Sequence, residues 1–180
     1  MLKEPRPGRV KTRLGRDIGL TTAAWWFRHQ TRRLIRRLED PRWHLILAVS
    51  PDREGLQSRI WPEHIDRLPQ GPGTLGDRMA RMLRSTPGPT LVIGADIPAV
   101  TTSHIALAFQ TLNQNASVLG PAPDGGYWLV GLKHPARARQ TLFQHVRWST
   151  RHALQDTAKT LPEPTALTAT LQDIDTAKDL

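Results

Sequence analysis

The chain has 180 residues, of which 38% are hydrophobic, enough for a packed core and too many for a disordered polymer. It contains no cysteine, which excludes disulfides and thiolate metal sites and leaves oxygen and imidazole as metal-ligating groups. A formal charge of +9, from 25 Lys+Arg against 16 Asp+Glu, favours an anionic partner: nucleic acid, an acidic membrane or a phosphorylated small molecule.

In chain order, the first fifteen residues are rich in proline, glycine and cations and read as a loop. Thr22 to Leu38 reads as a helix, with Thr21 or Thr22 as N-cap and Pro41 as the stop. Leu45 to Val49 is a continuous apolar run, the mark of a strand buried on both faces, and Ser50-Pro51-Asp52 turns the chain after it. Ile65 to Leu68 is a weaker strand. A glycine-proline loop, Gln70 to Thr74, precedes a helix from Leu75 to Leu83, which Pro87-Gly88-Pro89 follows. Thr90 to Ile93 is the second clear buried strand, and Ser103 to Leu112 is a helix with Ser103 as N-cap. Ser117 to Leu119 and Tyr127 to Leu132 are strands around Asp124-Gly125-Gly126. Thr150 to Thr160 is expected to be helical and Thr168 to Ile174 to hold a last strand.

Buried strands alternating with helices argue for one α/β domain over residues 1–180 with a largely parallel sheet. Ligands bind such sheets outside the carboxyl ends of the strands. Four segments there carry chemistry, each with a plain structural alternative. Lys3, Gly8, Lys11, Thr12 and Arg13 form a basic loop that is either a phosphate cradle or a solvated surface. It is not a Walker A loop, since Val10 stands where that motif has glycine before the lysine. Asp96, after the strand ending at Ile93, is either a hard-metal ligand for magnesium or manganese or a turn residue. Asp173 and Asp175 project to one side of an extended segment and either share a cation or cap a short helix. Gly120 to Trp128 is either a tight hairpin turn or an acidic turn whose aromatics face a sugar or base.

The order and context of these segments resemble a bacterial family with the glycosyltransferase A-type, nucleotide-diphospho-sugar transferase fold, some of whose members are connected with arsenosugar biosynthesis. The segments are Lys3 to Leu14, Thr74 to Met79, Gly94 to Pro98, Gly120 to Leu132, Val146 to Thr150 and Asp173 to Leu180, so the resemblance runs along nearly the whole chain. The wider group includes molybdenum-cofactor and phospholactate guanylyltransferases, the latter sharing a segment like Lys11 to Leu14. The resemblance implies a three-layer α/β/α fold with a mainly parallel mixed sheet. It also implies Lys11 and Arg13 on nucleotide phosphates, and Asp96 and Asp175 holding magnesium or manganese. Asp124 would be the catalytic base or an acceptor contact, with Gly125, Gly126, Tyr127 and Trp128 on the acceptor.

The chain departs from the pattern in three places. Thr74 replaces the usual aspartate, Ala177 and Lys178 replace Pro-Glu, and only Met1-Leu2 stand where relatives have a buried first strand. That strand is therefore expected to be largely missing, its remnant pairing beside Leu91 to Ile93. The expected function is glycosyl transfer from a nucleotide-sugar donor to a small-molecule acceptor. The alternative is nucleotidyl transfer from a nucleoside triphosphate, with loss of pyrophosphate. Two further alternatives are an inactive homologue and a nucleic-acid-binding module built on Arg32, Arg33, Arg36 and Arg37. No nucleic-acid motif accompanies those arginines, which favours a solvated helix face. No run of about eighteen apolar residues exists and no signal peptide is evident, so no membrane partner is expected and the cytoplasm is the expected location.

Overall fold

A computed structural model describes residues 1–179. The chain divides into two compact units, one made of Met1–Gly71, Ala95–Thr102 and Asp173–Leu180, the other of Pro72–Gly94 and Ser103–Gln172.

The first unit contains β1 (Leu2–Lys3), α1 (Thr12–Ile18), α2 (Leu20–Leu38), β2 (Leu47–Ser50), α3 (Asp52–Leu56) and β3 (Arg67–Pro69). Its sheet has the order β1-β2-β3 and is parallel throughout, with Leu2 opposite Val49 and Leu47 opposite Arg67. The core explains the sequence pattern. Ala23, Ala24, Phe27, Thr31, Leu34, Ile35 and Leu38 recur at helical spacing and are the buried side of α2. Ala24, Phe27 and Ile35 join Leu2, Val10, Leu47, Val49, Trp61, Ile65 and Ala95 in one apolar cluster.

The second unit contains α4 (Leu75–Arg84), β4 (Thr90–Ile93), most of α5 (Thr102–Leu112), β5 (Ser117–Pro121), β6 (Tyr127–Leu132), α6 (Ala153–Ala158) and β7 (Thr165–Leu167). The sheet order is β4-β6-β5-β7. β6 runs antiparallel to both β4 and β5, and β7 is parallel to β5, so this sheet is mixed. Val118, Leu119, Leu129, Val130 and Leu132 are all essentially inaccessible, which is why these strands read as unbroken apolar runs.

The local assignments need several corrections. The N-terminal loop contains α1, a seven-residue helix that lacks apolar periodicity and buries only Leu14 and Gly15. A side chain on Gly15 would press on Leu20, so glycine permits α1 and α2 to approach closely. α2 starts at Leu20 behind Gly19, which leaves Thr21 and Thr22 inside the helix rather than at its cap. α3 follows a proline and carries Asp52 and Glu54 in its first turn, a start signal that the turn reading passed over. α5 begins at Thr102, so Ser103 lies within it. The helix expected over Thr150 to Thr160 is confined to α6. The last strand is Thr165–Leu167, not Thr168 to Ile174. Beyond it only isolated bonds follow β5, from Thr168 N–H to Leu119 O and from Leu171 N–H to Pro121 O. Leu2 and Lys3 pair with Val49 and Ser50 rather than with Leu91 to Ile93, whose ladder partners are on β6.

Candidate functional site

Two segments distant in sequence meet in the first unit. Ile174 packs with Leu14 and Ala23, which pins the C-terminal segment against α1 and α2. The Ile174 N–H donates to the Asp96 carbonyl at 3.2 Å. The 95–102 segment is held in turn by α2: the Thr31 hydroxyl donates to Ala95 O at 3.4 Å, and Arg37 donates to Pro98 O at 2.5 Å and Val100 O at 3.0 Å. Backbone fixation on both sides brings Asp96, Asp173 and Asp175 together, with one oxygen from each within 4.8 Å of the others.

The loop after β1 completes the cluster. Val10 is anchored in the core and Lys11 follows in the left-handed region, at φ 45° and ψ 47°, as the residue capping α1. From there the Lys11 ammonium reaches Asp96 Oδ2 at 2.5 Å and Asp175 Oδ1 at 3.0 Å. Arg13 donates to Asp175 Oδ2 at 2.8 Å. The Lys11 side chain is only 7% exposed, whereas that of Arg13 is 63% exposed. Burial alone would lower the Lys11 pKa, but Asp96 and Asp175 together outweigh it and hold the pKa above the usual lysine value. Burial raises the Asp175 carboxyl, and Lys11 and Arg13 overcome that, leaving it below the ordinary carboxylate value.

Lys11, Arg13, Asp96 and Asp175 thus converge. Both cations are paired with the acidic cluster. Three carboxylates this close need neutralising, and the nearest cations supply it. Lys3, Gly8 and Thr12 are exposed: Lys3 pairs with Ser50 in the sheet, Gly8 takes φ 75° in the loop and Thr12 opens α1.

Asp179 is a residue that sequence reasoning missed. It accepts from the backbone N–H groups of Asp175 and Thr176 at 3.1 and 2.8 Å and from the Thr176 hydroxyl at 2.9 Å. Asp17 on α1 likewise accepts from Ala177 N–H at 3.0 Å. These bonds shape the final turn, so the Ala177-Lys178 departure does not remove the carboxylate that orders it. Thr74 also finds a use: with Asp77 it forms a reciprocal capping box at the start of α4.

The Asp124 turn belongs to the second unit. Asp124 Oδ1 accepts from Gly126 N–H at 2.8 Å, a self-closing turn, and the residue is exposed. Gly125 has φ 86°, and a side chain there would collide with the Arg151 backbone. Tyr127 is engaged by Thr157, whose hydroxyl donates to Tyr127 Oη at 3.3 Å, and burial pushes the phenol pKa upward. Trp128 is 3% exposed and its indole N–H donates to Ala169 O at 2.9 Å. Its ring is a packing element, which corrects the expectation of an open aromatic face.

Parallel strands in the first unit, a mixed sheet in the second, Asp96 shortly after β4 and a basic loop after β1 fit an α/β protein with the nucleotide-diphospho-sugar transferase fold. A solved structure supports this: a protein from Desulfovibrio desulfuricans G20, described as a candidate nucleotide-diphospho-sugar transferase, matches with a TM-score of 0.84 and 26% identity over 97% of this chain and 80% of that one. The chain belongs to the DUF2064 family, described as uncharacterized proteins conserved in bacteria, which it matches over residues 34–150. No curated protein matches it.

Proposed function

We propose that the chain is a metal-dependent transferase that takes a nucleotide sugar as donor and passes the sugar to a small-molecule acceptor. The observation that carries this reading is the convergence of Asp96, Asp173 and Asp175 with Lys11 and Arg13. Three hard oxygen donors suit magnesium or manganese, and the cluster's attraction for a cation is visible in the ammonium it already holds. Such an ion, when bound, supplies charge neutralisation for a diphosphate leaving group. Lys11 and Arg13 would bind the phosphate oxygens and orient them. Asp124 is assigned to the acceptor side, where its exposed carboxylate would accept the acceptor's hydroxyl proton. Gly125, Gly126 and Tyr127 would border it. Among the described residues no helix is long and apolar enough to cross a membrane, and we place the reaction in the cytoplasm.

The test is a thermal-shift panel of nucleoside diphosphate sugars and triphosphates with and without manganese. A ligand at a hundredfold excess over its dissociation constant adds about 2.7 kcal/mol of stability. Asp96→Ala should fold normally and lose the manganese-dependent part of the shift; an unchanged shift would sink the metal assignment. Stabilisation by triphosphates alone, with pyrophosphate released on turnover, would support nucleotidyl transfer instead.

A further inference from the structure

Lys11 and a divalent cation have claims on the same carboxylates. The ammonium lies 2.5 Å from Asp96 Oδ2 and 3.0 Å from Asp175 Oδ1, on two of the three carboxylates that make up the cluster. A magnesium ion would hold an oxygen of each of these carboxylates at about 2.0–2.1 Å. Two cations drawn to one pair of carboxylates repel each other.

The backbone points the same way. Lys11 is held in the left-handed region, at φ 45°, where glycine is unstrained and a lysine is not. Strain at one side chain, kept where a cheaper residue exists, is typical of a position whose side chain matters more than local stability. The Lys11 ammonium sits at the end of a flexible four-carbon stem, which can carry the charge elsewhere.

We infer that Lys11 is a tethered placeholder cation, which occupies the acidic cluster until a divalent ion displaces it and which then becomes free to bind phosphate. The inference rests on the metal reading above and adds a coupling to it. Metal entry releases the ammonium, and phosphate captures it in the released position. Each ligand therefore strengthens the other, and by linkage the two effects are equal. The device also keeps three carboxylates from facing one another uncompensated before ligands arrive.

The experiment uses the full chain and manganese alone as probe. Free manganese is counted by electron paramagnetic resonance, and lysine accessibility is read by brief acetylation with acetic anhydride and peptide mass spectrometry. In the wild type, Lys11 should be protected without manganese and acetylated at least five times faster at saturating manganese, while exposed Lys159 does not change. Lys11→Met and Lys11→Gly should bind manganese at least tenfold more tightly than the wild type. The glycine variant relieves the backbone strain, so it guards against a methionine variant that fails to fold. Wild-type manganese binding as tight as in the variants, or Lys11 acetylation indifferent to bound manganese, would overturn the placeholder and leave the metal reading standing. Failure of wild type and both variants alike to bind manganese would overturn the metal reading, and the placeholder with it.

Discussion

Asp175 is held by more than its own pairing with Lys11 and Arg13. The Asp179 carboxylate accepts from two successive N–H groups and one hydroxyl in the turn that carries Asp175. Asp179→Ala should therefore leave two backbone donors without that partner, at a cost of about 1–2 kcal/mol. Manganese affinity should fall because the Asp175 carboxylate is no longer oriented, whereas Asp179→Asn, which keeps an acceptor oxygen, should recover most of both losses. Equal manganese binding by the alanine variant and the wild type would show that Asp179 serves the turn only. At this scale the sequence was partly legible. Asp96 and Asp175 stand in recognisable segments, and alternation along an extended stretch put Asp173 and Asp175 on one side. The division of labour between Asp175 and Asp179 was not legible, because a carboxylate that caps backbone and one that faces a ligand look alike in sequence. Trp128 failed for a related reason. It follows a flexible turn, but whether it faces ligand or core depends on what covers β6, which no local pattern records.

Elements with strong periodicity were read nearly to the residue, as Thr90–Ile93 and the long α2 show. Those held by tertiary context were not. α1 has a single large buried apolar residue, Leu14, and owes its place to the packing of that residue with Ala23 and Ile174. Thr74 lies between these cases, since a threonine three residues before an acid is a legible helix start. Its hydroxyl accepts from Asp77 N–H at 3.3 Å, while the Asp77 carboxylate accepts from Thr74 N–H at 2.8 Å. Thr74→Ala should cost about 1 kcal/mol, and Thr74→Asp, which keeps a side-chain acceptor, should retain much of the cap. A urea midpoint measures both. The bonds from Thr74, aided by Arg81, hold the Asp77 carboxyl below its ordinary value of 3.8. A depressed carboxyl stabilises the fold above its unfolded pKa and loses that contribution as pH falls through the folded one. The stability gap between wild type and Thr74→Ala should therefore be constant near neutrality and shrink below about pH 4. A gap that persisted at pH 2 would mean the cap owes nothing to the Asp77 charge.

For the whole molecule, the question is where a formal charge of +9 is spent. Part of it is structural. Arg37 holds the 95–102 segment through two carbonyls, and Arg67 donates to the carbonyls of Leu56, Ser58 and Trp61 at 3.0, 2.7 and 2.9 Å. Part is at the acidic cluster, with Lys11 and Arg13. The rest includes Arg33 and Arg36, exposed on α2, the helix that also carries Trp25, which is 61% exposed and lies against the His29 ring. A basic face with an open aromatic ring is also how single-stranded nucleic acid is bound, so charge alone does not decide between a solvated face and an interface. The two sides of α2 differ: on the buried side Thr31 holds the segment that carries Asp96, while Arg33 and Arg36 lie on the exposed side. Changing both to glutamate should leave the fold within about 0.5 kcal/mol of the wild type, as surface substitutions usually do. It should also leave manganese-dependent nucleotide stabilisation intact. Random single-stranded and duplex DNA should bind both proteins weakly, with no difference between them beyond the altered net charge. The decisive comparison is the slope of log affinity against log salt from 50 to 200 mM, which counts the phosphates neutralised. A steep slope in the wild type that collapses in the double variant would make this face a nucleic-acid interface and the small-molecule reading incomplete.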